Sequence, residues 1–307
     1  MLRKSLLYGL CLVTVTLGLS GCEEEQLTPD YEYRLDTFKP APDAQDSTSI
    51  LRREFYDSTG SYLLFNDTLQ HEFLGYDYND EPVWFTEVLD ITYELGTSTG
   101  SRDLYTYTLI PDYADQKKAT QFLKDYILIH FSNTLKLFSW FLAYDIVGEP
   151  VGAVNGTLVY PDAVYGQRCV AIACDYILKN EGEDQKELYA NRVINVFINE
   201  LVSLHSDKFS EFRAISKDYY GGTFSSTSNS ENTRYLREAG FLVSGKNGSG
   251  NPVNGYYPTF IEDLSSYATY VLNLDEATME SAYGQYPLVM QKYRLFRDTL
   301  IELGFIF

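Results

Sequence analysis

The side chains best spaced to do chemistry lie in Arg192-Val-Ile-Asn-Val-Phe-Ile-Asn-Glu-Leu-Val-Ser-Leu-His205, an apolar run with Asn199, Glu200 and Ser203 among its polar positions. Residues four apart share a helix face. Zinc hydrolases with an H-E-x-x-H helix use that spacing for two imidazole ligands, and set the general-base glutamate directly after the first. Here the five positions read N-E-L-V-S, so the glutamate is kept while an amide and a hydroxyl stand where the imidazoles would be. Zinc held by neutral oxygens would lack the ligands that supply most of its affinity, and without the metal no water is brought to a pKa of about 7. His205 follows Ser203 by two residues, about 200° around a helix, and points to another side. His71 and His130 complete the chain's three histidines, and ordinary packed or surface roles are expected for all of them. The sequence therefore predicts no metal and no cofactor. Glu200 is left as either a solvated helix carboxylate or a polar anchor in a cleft.

Other patterns match by spacing but lack their context. Gly96-Thr-Ser-Thr-Gly100 fits G-x-S-x-G, yet a strand-like run follows where a nucleophile elbow needs a helix, so a hairpin turn is expected. Gly240-Phe-Leu-Val-Ser-Gly245-Lys246 has phosphate-loop spacing, with Asn247 where a hydroxyl must hold magnesium. Asp77, Asn79, Asp80 and Glu81 form an acidic loop without the alternating ligands and closing glutamate of an EF-hand, and read as a solvated turn. Tyrosines number 27, and among them Tyr219, Tyr220, Tyr256 and Tyr257 are candidate binding residues. Stacking area with a polar tip suits sugars and peptides, with aromatic packing as the competing account.

The elements that must position these residues can be read from periodicity. Residues 49–109 alternate and turn, with strand-like runs at 60–65, 88–95 and 104–110. Helical spacing takes over at 112, where Ala119, Phe122, Leu123, Tyr126, Ile127 and His130 recur at three and four. Strands are expected again at 135–146, 156–160 and 169–177, then helices at 185–206, 257–273 and 287–303, with Gly304 as a stop. Two Gly, Ser and Asn tracts, 221–232 and 244–255, read as loops. Cys169 and Cys174, five apart on a strand, face opposite sides about 16 Å apart and form no disulfide.

The N-E-L-V-S helix resembles the H-E-F-A-H helix of zinc metallohydrolase lipoproteins encoded beside SusC/SusD-type nutrient importers of Bacteroidetes. Further blocks follow in the family's order. Phe209-Ser-Glu-Phe-Arg-Ala-Ile-Ser-Lys-Asp-Tyr219 resembles its post-motif helix, and Tyr235-Leu-Arg-Glu-Ala-Gly-Phe-Leu-Val-Ser244 its Y-L-x-x-G-F segment. Pro258-Thr-Phe-Ile-Glu-Asp-Leu-Ser-Ser-Tyr267 resembles its E-D-F-x-E helix. The likeness runs over about residues 175–307, and both a lipoprotein signal and a β-rich first half fit the family. It implies an α+β fold, a β-rich N-terminal half followed by a helical, zincin-like C-terminal half. It also identifies the departures: Asn199 and Ser203 at the two histidines, Pro258 and Thr259 at the opening acidic pair, with Glu200 and Glu262 as the retained ionisable positions.

Residues 1–21 read as a secretion signal, with Arg3 and Lys4 before an apolar stretch, closed by Leu19-Ser20-Gly21-Cys22 in the manner of a lipobox. Cys22 is the expected lipidated first residue. Glu23-Glu24-Glu25 behind it resembles the surface-export signal of Bacteroidetes lipoproteins, which implies an outer-membrane protein facing the medium. Residues 22–48 are expected to be an extended acidic tether and 49–307 a single domain. With 24 basic against 43 acidic residues and a net charge of −19, the chain is a poor ligand for polyanions, and nucleic acid is excluded as a partner. The expected function is a non-catalytic accessory binding or docking subunit. The resemblance implies a SusC-like TonB-dependent transporter and a SusD-like lipoprotein as its partners, and peptides or glycans as cargo. The alternatives are an active surface zinc hydrolase with an unconventional ligand set, an acid/base pair of Glu200 and Glu262, or a purely structural lipoprotein.

Overall fold

Four short, largely apolar runs build the central sheet. Strands β1 (Tyr62–Leu64), β5 (Ser139–Ala143), β7 (Ala163–Tyr165) and β8 (Val170–Ala173) pair in the order β1-β5-β8-β7. The first three in that order run parallel, in the registers Tyr62↔Ser139 and Trp140↔Val170, and β7 closes the edge antiparallel through Ala163↔Ile172. Strands covered on both faces read as unbroken apolar runs, as β5 and β8 do. On one face Leu63, Phe65, Trp140, Leu142, Val170, Ile172 and Cys174 enter the large helical core. On the other, Leu64, Phe141, Ala143, Val164, Cys169 and Ala171 meet Phe38, Leu89, Ile91 and Ile146. An antiparallel ribbon of β4 (Leu104–Thr108) and β6 (Asp145–Glu149) belongs to this second layer, into which it sends Ile146, Tyr105 and Tyr107.

The computed structural model describes residues 37–92, 103–151, 157–180, 182–248 and 250–307. Contacts divide the chain at Phe38, and Phe38–Phe307 form one unit. The signal, Cys22, the triacidic leader and the Gly96 to Gly100 pattern lie outside the described residues. Among the described residues no helix is long and apolar enough to cross a membrane.

The helices are α1 (Ser47–Thr59), α2 (Tyr113–Phe122), α3 (Asp175–Lys179), α4 (Glu183–Leu204), α5 (Ser210–Ile215), α6 (Asn229–Glu238), α7 (Phe260–Asn273), α8 (Glu276–Tyr283) and α9 (Pro287–Glu302). The expected α+β class holds, and α2, α4, α7 and α9 fall where periodicity put them. Beyond α2 the chain widens into a π turn and then tightens into a 3-10 turn that ends at His130. Gly304 takes a φ of +99° and stops α9.

Several expectations are corrected. The ordered body starts at Phe38, buried at 2 % exposure, not at residue 49, and α1 opens the half expected to be β-rich. Asp46 caps α1 by accepting from the Ser49 N–H, a signal overlooked in the acidic tract. Of the run expected at 88–95, the described residues 88–92 contribute only Val88 to a strand, the last residue of a hairpin between β2 (Thr68–Tyr76) and β3 (Pro82–Val88). The acidic loop is the solvated turn expected, and Asp77 holds it by accepting from the Asn79 and Glu81 N–H groups. The 135–146 run breaks at Tyr144 into β5 and β6, which belong to different sheets. The 169–177 run ends as a strand at Ala173 and turns into α3. Helix α6 occupies part of the first glycine-rich tract, with Ser228 capping it through the Glu231 N–H.

Cys169 and Cys174 are free, buried thiols on opposite faces of the sheet. Burial pushes the Cys169 thiol up to about 12 and raises Cys174 as well. In a soluble form starting after Cys22, neither thiol is expected to react with a disulfide reagent at neutral pH until urea is added, when both should; one fast thiol in the folded protein would contradict this packing.

Candidate functional site

Helix α4 buries Tyr189, Ala190, Val193, Ile194, Phe197, Ile198, Leu201 and Val202, a broad stripe at three- and four-residue spacing that seats it in the large core. Arg192 clamps it beside the sheet edge with a two-pronged bond to Asp162, at 2.8 and 2.9 Å, and the Tyr189 hydroxyl donates to the carbonyls of Asp162 and Ala173. On another side α4 runs antiparallel along α7. Asn191 Nδ2 reaches Asn273 Oδ1 at 3.5 Å, and Asn195 Nδ2 donates to Thr269 Oγ1 at 3.3 Å. Each step is one turn on both helices, so two further turns set Ser203 at the level of Ile261, beside Glu262. The structure thus brings together the two helices that carry the motif positions.

Those positions point to different tasks. Asn199 is half-buried and donates back along its own helix to Asn195, to the carbonyl at 2.8 Å and the amide oxygen at 3.1 Å. Ser203 and Glu200 are exposed. Burial raises the Tyr165 phenol above its usual range and Glu200 adds to the shift; Tyr105 is raised by burial, then Asp103, with a smaller push from Glu200. The Glu200 charge is therefore felt by β7 and β4. Glu262 is committed elsewhere. Its Oε2 accepts from the Thr259 N–H at 2.7 Å and the Thr259 hydroxyl at 2.9 Å, while Thr259 Oγ1 accepts from the Glu262 N–H at 3.4 Å. That capping box starts α7.

This donor set does not fit a zinc ion. An amide engaged with its own helix, an exposed hydroxyl and a capping carboxylate offer no imidazole and no free carboxylate pair. Among the described residues no group of three His, Cys, Asp or Glu is placed to hold a metal. The histidines sit apart. His71 bonds Thr86 and stacks on Trp84 in the hairpin, His130 bonds the Ile306 carbonyl and stacks on Phe305, and His205 ends α4.

The four tyrosines divide as well. Tyr219 and Tyr256 are exposed. Tyr257 packs on Phe224 and Phe241, and its backbone N–H donates to the Gly222 carbonyl, so the two glycine-rich tracts pair rather than hang free. Tyr220 turns inward and donates its hydroxyl to Asp263 Oδ2 at 2.8 Å.

Asp263 opens the strongest electrostatic feature of this half, one that motif reading missed. Its carboxylate pairs with Lys292 of α9, both side chains fully buried. Lys292 also donates to Ser216 Oγ at 3.2 Å and lies 4.4 Å from the Phe212 ring centroid, 4.6 Å from Phe241 and 5.2 Å from Tyr267. Asp263 Oδ1 has no partner. Burial pushes Asp263 up to about 6 against the pull of Lys292 and Tyr220, and burial draws Lys292 down to about 8 against the pull of Asp263. A sequence signal existed: Lys292 interrupts the apolar face of Val289, Tyr293, Phe296 and Leu300.

Comparison with protein-family models, curated proteins and solved structures gives no match.

Removing one charge strands the other, so Lys292→Met is expected to cost about 3–5 kcal/mol in urea unfolding, and Asp263→Asn added to it should restore most of that. Asp263, raised, contributes stability fully present below the usual aspartate range and lost as pH rises through about 6. Lys292, lowered, contributes stability present above the usual lysine range and lost as pH falls through about 8. The double variant should therefore compare best with the parent between those values, and a flat difference across pH would contradict the buried pair. Thr259→Ala should cost about 0.5–2 kcal/mol by opening the cap, while Glu200→Gln, at an exposed site, should stay within about 0.5 kcal/mol of the parent.

Proposed function

We propose that the chain is a non-catalytic lipoprotein, anchored through Cys22 to the outer membrane and facing the medium, with a degenerate zincin-like body. In this reading it serves as an accessory docking subunit of a SusC/SusD-type importer for peptides or glycans. One observation carries the docking part: eight exposed apolar side chains are gathered on the β2–β3 hairpin. Phe73, Leu74, Tyr76, Val83, Trp84, Phe85 and Val88 are exposed, and Tyr78 at the turn is 95 % exposed. Trp84 stacks on His71 and meets Phe73 edge-on at 5.3 Å, which in turn meets Tyr76 at 5.1 Å, so the rings form a continuous ridge. A hairpin alone is marginal in water, and no other described strand extends this one. Apolar ridges of this kind, flanked by open strand edges, suit a protein partner that covers the rings or adds a strand.

The non-catalytic part is supported by the chemistry of the motif positions, an amide, a hydroxyl and a helix-capping carboxylate. The antiparallel seam between α4 and α7 supports an inherited hydrolase-like body.

Replacing Phe73 and Trp84 together by Ser should leave thermal unfolding nearly unchanged, since both rings are exposed, and should abolish co-purification of the transporter and its lid from solubilised outer membranes. Undiminished co-purification would overturn the docking role. About one zinc per chain in protein purified without chelator, removed together with a hydrolytic activity, would overturn the non-catalytic one.

A further inference from the structure

The charges of the β2–β3 hairpin restrict what can cover it, on the premise that this hairpin is a docking element. Between Arg53 and Arg102 the sequence has no lysine or arginine, although the chain as a whole holds 24 such residues, and residues 68–88 carry five acids. The exposed apolar side chains of this segment call for cover, and its charge selects a basic one. A second copy would set acid against acid, and an anionic lipid surface would do the same.

Strand register sorts the side chains into two faces. His71 lies opposite Thr86 and Phe73 opposite Trp84, so the ridge of rings occupies one face. On the other, Glu72 lies opposite Phe85, and Glu87 follows Phe85 by two residues. The two glutamates are therefore diagonal neighbours, roughly 7–8 Å apart at their Cα atoms, with the exposed Phe85 ring beside both. Both are half-buried, and neither makes an ion pair or a side-chain hydrogen bond among the described residues. Arg168, which shares a cleft with Glu87, is taken up by the Phe38 and Phe138 rings, whose centroids lie 4.7 and 5.7 Å from its guanidinium carbon. Two like charges thus stand side by side against a ring face, with no cation of the described chain between them.

We infer that the hairpin docks on an arginine-bearing segment of its protein partner, one guanidinium lying flat on Phe85 and bridging Glu72 and Glu87 while apolar side chains of the partner cover the ridge on the other face. Arginine suits this place better than lysine. Its planar fork bonds two carboxylates at once, stacks on a ring and gives up its hydration more readily than an ammonium. In such an interface the charges steer encounter and choose the partner, and the covered rings hold it.

Short dye-labelled peptides alternating threonine with arginine, lysine or citrulline, the last having arginine's shape without its charge, are titrated by fluorescence anisotropy against the full chain purified in detergent. The arginine peptide should bind saturably and more tightly than the lysine peptide, and the citrulline peptide should not bind. Glu72→Gln with Glu87→Gln should weaken the arginine peptide about tenfold and Phe85→Leu about threefold, with melting temperatures near the parent's. Glu211→Gln with Glu302→Gln, at exposed acids of α5 and α9, makes the same change in net charge and should leave binding as it was. No saturable binding, a lysine or citrulline peptide that binds as tightly as the arginine one, or an equal loss in the two glutamine pairs would each overturn the assignment. Co-purification separates it from the docking reading. A complex kept by Glu72→Gln with Glu87→Gln but lost with Phe73→Ser and Trp84→Ser would overturn the arginine contact and leave the hairpin's docking role standing.

Discussion

The C-terminal half depends on one buried charge pair. Lys292 and Asp263 meet where α7, α9, the turn after α5 and the end of α6 converge, and each of those segments is tied to the junction. Ser216 accepts from Lys292 and donates to the Ala239 carbonyl at 2.7 Å; Tyr267 donates to the carbonyls of Gly240 and Val289. Gly240 sits at a φ of +85°, where a Cβ would press on Ser216 Oγ and the Lys292 stem, so the backbone itself makes way for the lysine. An apolar plug of the same volume would be cheaper to bury. It would not fix the register, because leucine on leucine can slide by a rotamer while an ammonium, a carboxylate, a phenol and a hydroxyl close in one arrangement only.

The motif helix lies outside this junction and is held beside α7 by other contacts. In α4 the apolar stripe and the Arg192–Asp162 bond set the helix against the sheet edge, and the amide and hydroxyl contacts of Asn191 and Asn195 set α7 along it. The polar residues at the motif positions are thus divided between two neighbours, Asn199 and Ser203 on the side of α7, Glu200 toward the tyrosines of β7 and β4. Holding the α4–α7 seam is a packing task here, while the ion pair ties α7 to α9 behind it.

Much of this was legible where a residue's neighbours lie close in sequence. The apolar stripes of α4, α7 and α9 repeat within a few turns, the glycine stop at Gly304 is local, and the opposite facing of Cys169 and Cys174 follows from strand period alone. What escaped depended either on a distant partner or on a local residue with two readings. Glu262 drew attention as a family-like carboxylate, yet Thr259 three residues before it already wrote a capping box. Asp263, one residue on, was passed over because its meaning lies in Lys292, which shows in sequence only as a charge in an apolar stripe. Helix α1 hid behind aspartates that read as tether, and α6 behind serines and asparagines that also cap helices. The hairpin was missed because polar and apolar residues mix on both its faces and two bulges shift its register, which blurs the two-residue alternation by which strands are recognised.

At the front of the body, Phe38 fills a socket under the sheet with the Arg168 guanidinium 4.7 Å above its ring, and its carbonyl accepts from Arg52. Arg53 grips the carbonyls of Ala41 and Ala44 a few residues later. A pull arriving along the chain from upstream would meet a wedge and then three guanidinium bonds from Arg52 and Arg53 of α1, one after another, at Phe38, Ala41 and Ala44. This stretch is a strain relief, like the clamp where a cord enters its housing, and it spreads such a pull over one helix without prying open the layers behind it.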